Sequence, residues 1–157
     1  TTAAATGAVG VTRRDPMAMK PFCGYNFGDY WQHWLSFGQR SPRLPAIFHV
    51  NWFRQDDQGR FLWPGFGDNL RVLKWIIDRC AGRVGAAETP IGFLPNPGDI
   101  DVHGVSLIPG AMNALLAVEG KNWRQEMASV EAYLQEFGDH LPRELLEEHR
   151  RVVRALD

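Results

Sequence analysis

Apolar residues change their period along the chain, and each period predicts an element. From Asn26 to Phe37, Phe27, Tyr30, Trp31, Trp34 and Leu35 recur at helical spacing, which predicts a helix capped by Asn26 and stopped by Gly38. From Ala46 to Phe53 the run AIFHVNWF is almost continuously apolar and aromatic and predicts a short strand buried on both faces. Asp56, Asp57, Gln58 and Gly59 carry turn chemistry before Phe61 to Trp63 resumes an extended pattern, so a hairpin is expected. After Pro64, Gly65 and Gly67 a second helix begins at Asp68 or Asn69 and buries Leu73, Ile76, Ile77 and Cys80 until Gly82. Thr89 to Leu94 predicts an edge strand, restricted by Pro90, Pro95 and Pro97.

The last third reads as helical throughout, so residues 105–157 are expected to form a packing region. Pro109 suits a first turn, and Ile108, Met112, Leu115 and Leu116 form a stripe ending at Gly120. Trp123, Met127, Val130, Leu134 and Phe137 form the next, with Asn122 and Gln125 as a capping pair and Gly138 as its end. Pro142 opens a final helix in which Leu145, Leu146, His149, Val152, Val153 and Leu156 share a face opposite Glu144, Glu147, Glu148, Arg150, Arg151 and Arg154. The expected fold class is α/β, a mixed sheet around Phe48 to Trp63 with flanking helices, and no boundary divides the chain. Thr1 to Gly10 contains only Thr, Ala, Gly and Val; it reads as a loop, either a frayed end or a lid.

Composition narrows the function classes. The 157 residues are 45% hydrophobic and 11% aromatic, enough for a core. A net charge of −1 gives no electrostatic reason to hold nucleic acid or an acidic membrane surface. Cys23 and Cys80 make neither a disulfide framework nor a zinc spacing, which suggests a reducing, cytoplasmic setting. No window is apolar enough for a membrane span. Thr1 stands where a methionine would, without signal-peptide features, so the chain is expected to begin partway through a longer one.

Chemistry concentrates in His49 to Arg71, HVNWFRQDDQGRFLWPGFGDNLR, which places Trp52, Phe53, Phe61, Trp63 and Phe66 around a turn and a glycine-rich loop. The expected hairpin makes Phe53 and Phe61 cross-strand neighbours. Phe66 lies between two glycines, where backbone freedom allows close approach to a ligand and where a ring is poorly placed to anchor a core. Such rings can sandwich a planar base while Gly67, Asp68 and Asn69 read its edge. The same rings could instead fill a core, or anchor a peptide in a non-enzymatic aromatic groove. A single-stranded nucleic-acid binder lacks the basic groove it needs.

Three strings carry a resemblance: PFCGYNFGDYWQHWL (Pro21 to Leu35), FHVNWFR (Phe48 to Arg54) and GRFLWPGFGDNLRVLKW (Gly59 to Trp75). In order and spacing they resemble the carboxyl-terminal region of bacterial-type GTP-dependent phosphoenolpyruvate carboxykinases. The likeness continues more weakly through TPIG (Thr89 to Gly92) and the terminal helices. It implies a lyase of gluconeogenesis that decarboxylates oxaloacetate and transfers the γ-phosphoryl group of GTP to the enolate, giving phosphoenolpyruvate, GDP and carbon dioxide, with Mn2+ and Mg2+. It implies that residues 1–157 are the last part of a GTP-binding catalytic domain: a lid-like loop over 1–12, with Thr2, Ala3, Ala4 and Ala5 matching the lid's end, and a guanine pocket over 46–70. That pocket would comprise Trp52, Phe53, Phe61 and Phe66, with Gly67, Asp68 and Asn69 contacting the nucleotide. Leu70 departs from the serine of many relatives. The phosphate-binding loop, reactive cysteine, metal ligands and substrate arginines lie upstream in the family, so no catalytic or metal-binding residue is expected in this chain, and no GxxxxGK[ST] occurs in it. The isolated chain is expected to be inactive, and the intact enzyme a monomer that needs the remainder of the same polypeptide.

Other candidates read as structural. His33, His49, His103, His140 and His149 make no HxxxH or HExxH. Cys23 and Cys80 are expected as buried thiols. Asp99 and Asp101 read as turn residues rather than a cation site, and Arg13, Arg14 and Lys20 as surface charge.

Overall fold

Asn26 caps a helix as its side chain suits: its Oδ1 accepts from the Gly28 amide at 2.8 Å at the start of helix α1, Phe27–Arg40. The computed structural model describes residues 14–157. Helix α1 runs past Gly38 and ends where the Ser41 amide meets the Phe37 carbonyl. Gly38 is too weak a breaker to stop it, costing a helix only about 1 kcal/mol. The other helices are α2 (Asn69–Cys80), α3 (Ala111–Leu116), α4 (Gly120–Gln135) and α5 (Arg143–Ala155), and the sheet consists of β1 (Ala87–Thr89) and β2 (Gly92–Leu94). The chain is therefore a mixed α/β structure with a small sheet.

Two compact units divide these elements: the described residues up to Leu44 with Lys121–Asp157, and Pro45–Gly120. The first is discontinuous, and no linker composition marks its edges.

In the first unit, Phe27 and Trp31 of α1 pack with Leu134 of α4 and with Phe137. Trp31 meets Phe137 edge to face at 4.7 Å between centroids, the arrangement ring quadrupoles favour. Gly28 lies so close to the chain at His140 that a Cβ there would fall 2.2 Å from its carbonyl oxygen. Pro142 precedes α5, as its fixed φ suits. The buried face of α5 holds His149 and Val152, and the His149 Nε2 donates to the Met127 carbonyl at 2.9 Å. Helix α4 already starts at Gly120, so Asn122 lies inside it and not at its cap.

The second unit departs further from expectation. Ala46 to Phe53 forms no strand among the described residues, and its last two residues, Trp52 and Phe53, lie in a turn. Nor is it buried on both faces: Phe48, Val50 and Trp52 are half-buried, while Ile47, His49, Asn51 and Phe53 face solvent. Apolar content alone had suggested two buried faces; the observed alternation is that of a segment covered on one side. Helix α2 is rotated from the expected stripe. Trp75 is its buried residue, with Val72 and Ile76 beside it, while Leu73, Ile77 and Cys80 are exposed. The helix carries two apolar stripes, and the one holding the large indole is the one that packs on Trp63 and Ile100. Cys80 is consequently an exposed thiol, not a buried one. The expected strand from Thr89 to Leu94 is a hairpin of two short strands, pairing Ala87 with Leu94, Glu88 with Phe93 and Thr89 with Gly92. Pro90 starts its turn, and Gly92 supplies a φ of 118°. Helix α3 begins only at Ala111, because Gly110 takes a left-handed φ of 79°.

Candidate functional site

The aromatic stretch is organised by one carboxylate. Asp56 Oδ1 accepts from the amides of Gln58 and Arg60, each at 2.9 Å, and Oδ2 accepts from Arg60 Nε at 2.8 Å. The Arg60 amide is the leading cause that holds this carboxyl below the ordinary aspartate range, with the Arg60 and Gln58 contacts adding to it. The turn closes through Asp56 N to Arg60 O at 2.9 Å and Leu62 N to Arg54 O at 2.9 Å, leaving one antiparallel bridge between Gln55 and Phe61. The expected hairpin thus exists as a tight turn with minimal strand. It does bring Phe53 and Phe61 together, with centroids 6.3 Å apart and planes inclined at 64°.

Neither ring of that pair is buried: Phe53 is 74% and Phe61 54% exposed. The Phe53 amide donates to Asn51 Oδ1 at 3.0 Å, a local turn that fixes the backbone just before the ring. Trp52 is different. It is half-buried and packs on the Trp63, Trp75 and Ile100 cluster, so it backs this region from the core.

Phe66 is 95% exposed. It opens a single 3-10 turn, Phe66–Asp68, preceded by Gly65 at φ 110° and ψ −151°, a conformation open essentially to glycine alone. Two side chains brace the turn. Trp63 Nε1 donates to Asn69 Oδ1 at 2.9 Å. Arg71 donates to Asp68 Oδ1 at 3.0 Å, to the Asp101 carbonyl at 2.8 Å and to the His103 carbonyl at 3.0 Å. Sequence reading did not find the bracing roles of Trp63 and Arg71. The i,i+3 spacing of Asp68 and Arg71 was a visible signal; the indole contact needed coordinates.

Burying a phenylalanine side chain is worth roughly 1.5 to 3 kcal/mol relative to leaving it in water. Phe53, Phe61 and Phe66 forgo that stabilisation while a carboxylate-bound turn and a glycine-dependent turn hold their backbones in place. Exposed flat rings on constrained backbone can stack on a planar ligand, with Gly67, Asp68 and Asn69 alongside to supply polar contacts. Gly67 is exposed, and Asp68 and Asn69 are half-buried.

The remaining candidates are occupied by local structure. Asp99 Oδ2 accepts from the Asn96 amide at 2.8 Å and Asp101 Oδ1 from the His103 amide at 2.9 Å, both turn contacts. Arg14 pairs with Glu126 at 2.9 Å and bonds Ser129, and Lys20 pairs with Glu136 at 3.5 Å over the Tyr133 ring. Among the described residues no group of three or more His, Cys, Asp or Glu side chains is placed to hold a metal, and no helix is long and apolar enough to cross a membrane. Thr2, Ala3, Ala4, Ala5 and Arg13 lie outside the described residues.

Comparison with known families and proteins adds a second line of information. The family described as the phosphoenolpyruvate carboxykinase C-terminal P-loop domain matches residues 1–155. A protein of Anaeromyxobacter sp. (strain K) named phosphoenolpyruvate carboxykinase [GTP] is 50% identical over 162 residues, covering 99% of this chain and 27% of the relative. Proteins of the same name from Chlamydia muridarum and Neocallimastix frontalis are 48% and 52% identical, over 99% and 94% of this chain. The chain thus spans about a quarter of the length of these relatives.

Proposed function

The chain belongs to the GTP-dependent phosphoenolpyruvate carboxykinase family, and from that premise we propose that it supplies the guanine-binding slot of such an enzyme. In the whole enzyme oxaloacetate loses carbon dioxide, and the resulting enolate oxygen takes the γ-phosphoryl group of GTP, releasing GDP and phosphoenolpyruvate. Phe53, Phe61 and Phe66 stack on the base, Trp52 supports them from the core side, and Gly67, Asp68 and Asn69 contact the base edge. The observation that carries this reading is a phenylalanine, Phe66, held 95% exposed on a glycine-only backbone.

Further features belong to the same proposal. The segment from Ala46, covered on one side, pairs with strands outside this chain, completing the larger mixed sheet of a nucleotide-binding domain. Thr2 to Ala5 form part of a lid over the active site. The Mn2+ and Mg2+ ions, and the residues that hold phosphate and oxaloacetate, belong to the other parts of a monomeric cytoplasmic enzyme.

Base stacking on an aromatic ring contributes roughly 1 to 3 kcal/mol, so two rings supply roughly 2 to 6 kcal/mol. Millimolar affinity corresponds to about 4 kcal/mol. The chain alone should therefore bind GTP weakly and form no phosphoenolpyruvate. In the full-length enzyme, Phe66→Ala should raise the KM for GTP about tenfold or more while leaving the KM for oxaloacetate unchanged; steady-state kinetics with each substrate varied separate the two. An unaltered KM for GTP would remove the guanine assignment. The peptide-groove alternative has no support in the names of the relatives.

A further inference from the structure

Helix α5 pairs two of its arginines with glutamates one turn away. Arg143 Nε donates to Glu147 at 2.9 Å, and Arg151 bonds Glu148 through two nitrogens at 2.8 and 2.7 Å. Arg150 and Arg154 break that pattern. They stand four residues apart on the same helix, where like charges repel, and neither has a hydrogen bond or ion pair among the described residues. Both line an open groove of about 260 Å3 with Glu131 of α4 and with His149 and Val153 of α5. Glu131 is the one carboxylate lining the groove, and it pairs with neither arginine. The third basic group there is a buried ring, because His149 is 8% exposed. A carbonyl oxygen can only accept, so the 2.9 Å contact between His149 Nε2 and the Met127 carbonyl places a hydrogen on Nε2. Nδ1 is then the atom at which the ring gains or loses its second proton, and it makes no hydrogen bond among the described residues. A largely buried polar group that the protein leaves without a partner calls for one from outside.

We propose that this groove is a binding site for a small tetrahedral dianion, free phosphate or a phosphate monoester, held by Arg150 and Arg154 and by the Nδ1–H of a protonated His149. The groove lies within the first unit, and the inference is independent of the guanine-slot reading. Each guanidinium can give two parallel N–H bonds to phosphate oxygens. A tetrahedral dianion brings enough oxygens and charge for three donor groups, whereas a carboxylate brings two oxygens and one charge. Proton and ligand help each other to bind. The neutral ring turns a lone pair on Nδ1 toward the ligand, which an unprotonated phosphate oxygen cannot use, while the protonated ring turns an N–H. Glu131 opposes the ligand from α4, so it sets the affinity from the other side of the groove.

The test is an NMR titration of the chain with sodium sulfate at constant ionic strength, following the ring signals of His149. Sulfate is the probe because it keeps both charges across the neutral range, where phosphate itself titrates. In mildly acidic solution the His149 signals should move along one saturable curve with a millimolar midpoint, while those of His33 and His103 stay fixed. The midpoint should rise about tenfold from about pH 6 to about pH 8, the range in which an imidazole changes charge. Arg150→Gln and Arg154→Gln, both at exposed positions, should each raise it about tenfold. Glu131→Gln should lower it about threefold. Inorganic phosphate and glycerol phosphate then separate the two sources, and the tighter of them identifies the ligand. A His149 signal that does not saturate at millimolar sulfate, an affinity that ignores pH, or an undiminished affinity when both arginines are replaced overturns the proposal. So does an equal response to acetate, which would show general screening of charge instead of a site.

Discussion

The two units handle the same residue type in opposite ways. In one, Phe27, Trp31, Tyr133 and Phe137 lie on helices or at their ends and close into edge-to-face contacts, with Phe27 3% and Trp31 8% exposed. In the other, Phe53, Phe61 and Phe66 lie on turns and stay in water, although Trp63 and Trp75 beside them in sequence form a core. Helical spacing gives a ring a face and a partner. A turn gives it a direction, and two devices, the Asp56 carboxylate and the Gly65 backbone, fix that direction away from the core. Aromatic density is thus ambiguous by itself, and the local backbone decides whether rings stabilise the fold or remain available to a ligand.

Substitutions should separate the two classes. Trp31→Ala should cost about 3 to 5 kcal/mol of stability, the usual loss for a large core ring, seen as a lower urea midpoint. Gly28→Ala should cost about 3 kcal/mol, because the new methyl would meet the His140 carbonyl oxygen and its backbone has no room to give. Phe66→Ala should leave stability within about 0.5 kcal/mol, as expected for an exposed side chain, while its loss of roughly 1 to 3 kcal/mol falls on GTP. If Phe66→Ala unfolds the chain as Trp31→Ala does, the distinction collapses.

Arg71→Ala should cost about 1.5 kcal/mol, the scale of hydrogen bonds to a charged group, and should free the segment Asp101 to His103 from the Asp68 turn. Faster amide exchange at both places would show it. The smallest effect is one of pH. Asp56 is held below its ordinary value first by the Arg60 amide, and Asp78 first by Lys74 and then by Arg83. Lowered folded values mean that unfolding raises proton affinity, so the stability these groups add is fully present above the ordinary value of 3.8 and is lost as pH falls through the folded values. Asp56→Asn and Asp78→Asn should each flatten the acid side of a stability profile and leave neutral pH dependence unchanged.

Much of this was legible in the sequence where local chemistry decides structure. The Asn26 cap, the Asp56 to Gly59 turn, the neighbouring Phe53 and Phe61 rings and the exposed Phe66 all follow from residue type and spacing within a few positions. What the sequence hid was decided at longer range. Helix α2 carries two apolar stripes, and only the partners of Trp75 choose between them. Ala46 to Phe53 has strand composition but no partner among the described residues, so composition could not reveal its single covered side. The orientation of Asn69 depends on an indole six positions earlier in the chain, across a turn.

The central claim is that the turn-borne rings, and not the helical ones, receive guanine. Titrating the chain with GTP into the millimolar range while following assigned phenylalanine ring signals by NMR tests it directly. The signals of Phe53, Phe61 and Phe66 should move together along one binding curve while those of Phe27 and Phe137 stay fixed. Ring signals that ignore GTP, or that shift equally in both units, would contradict the account.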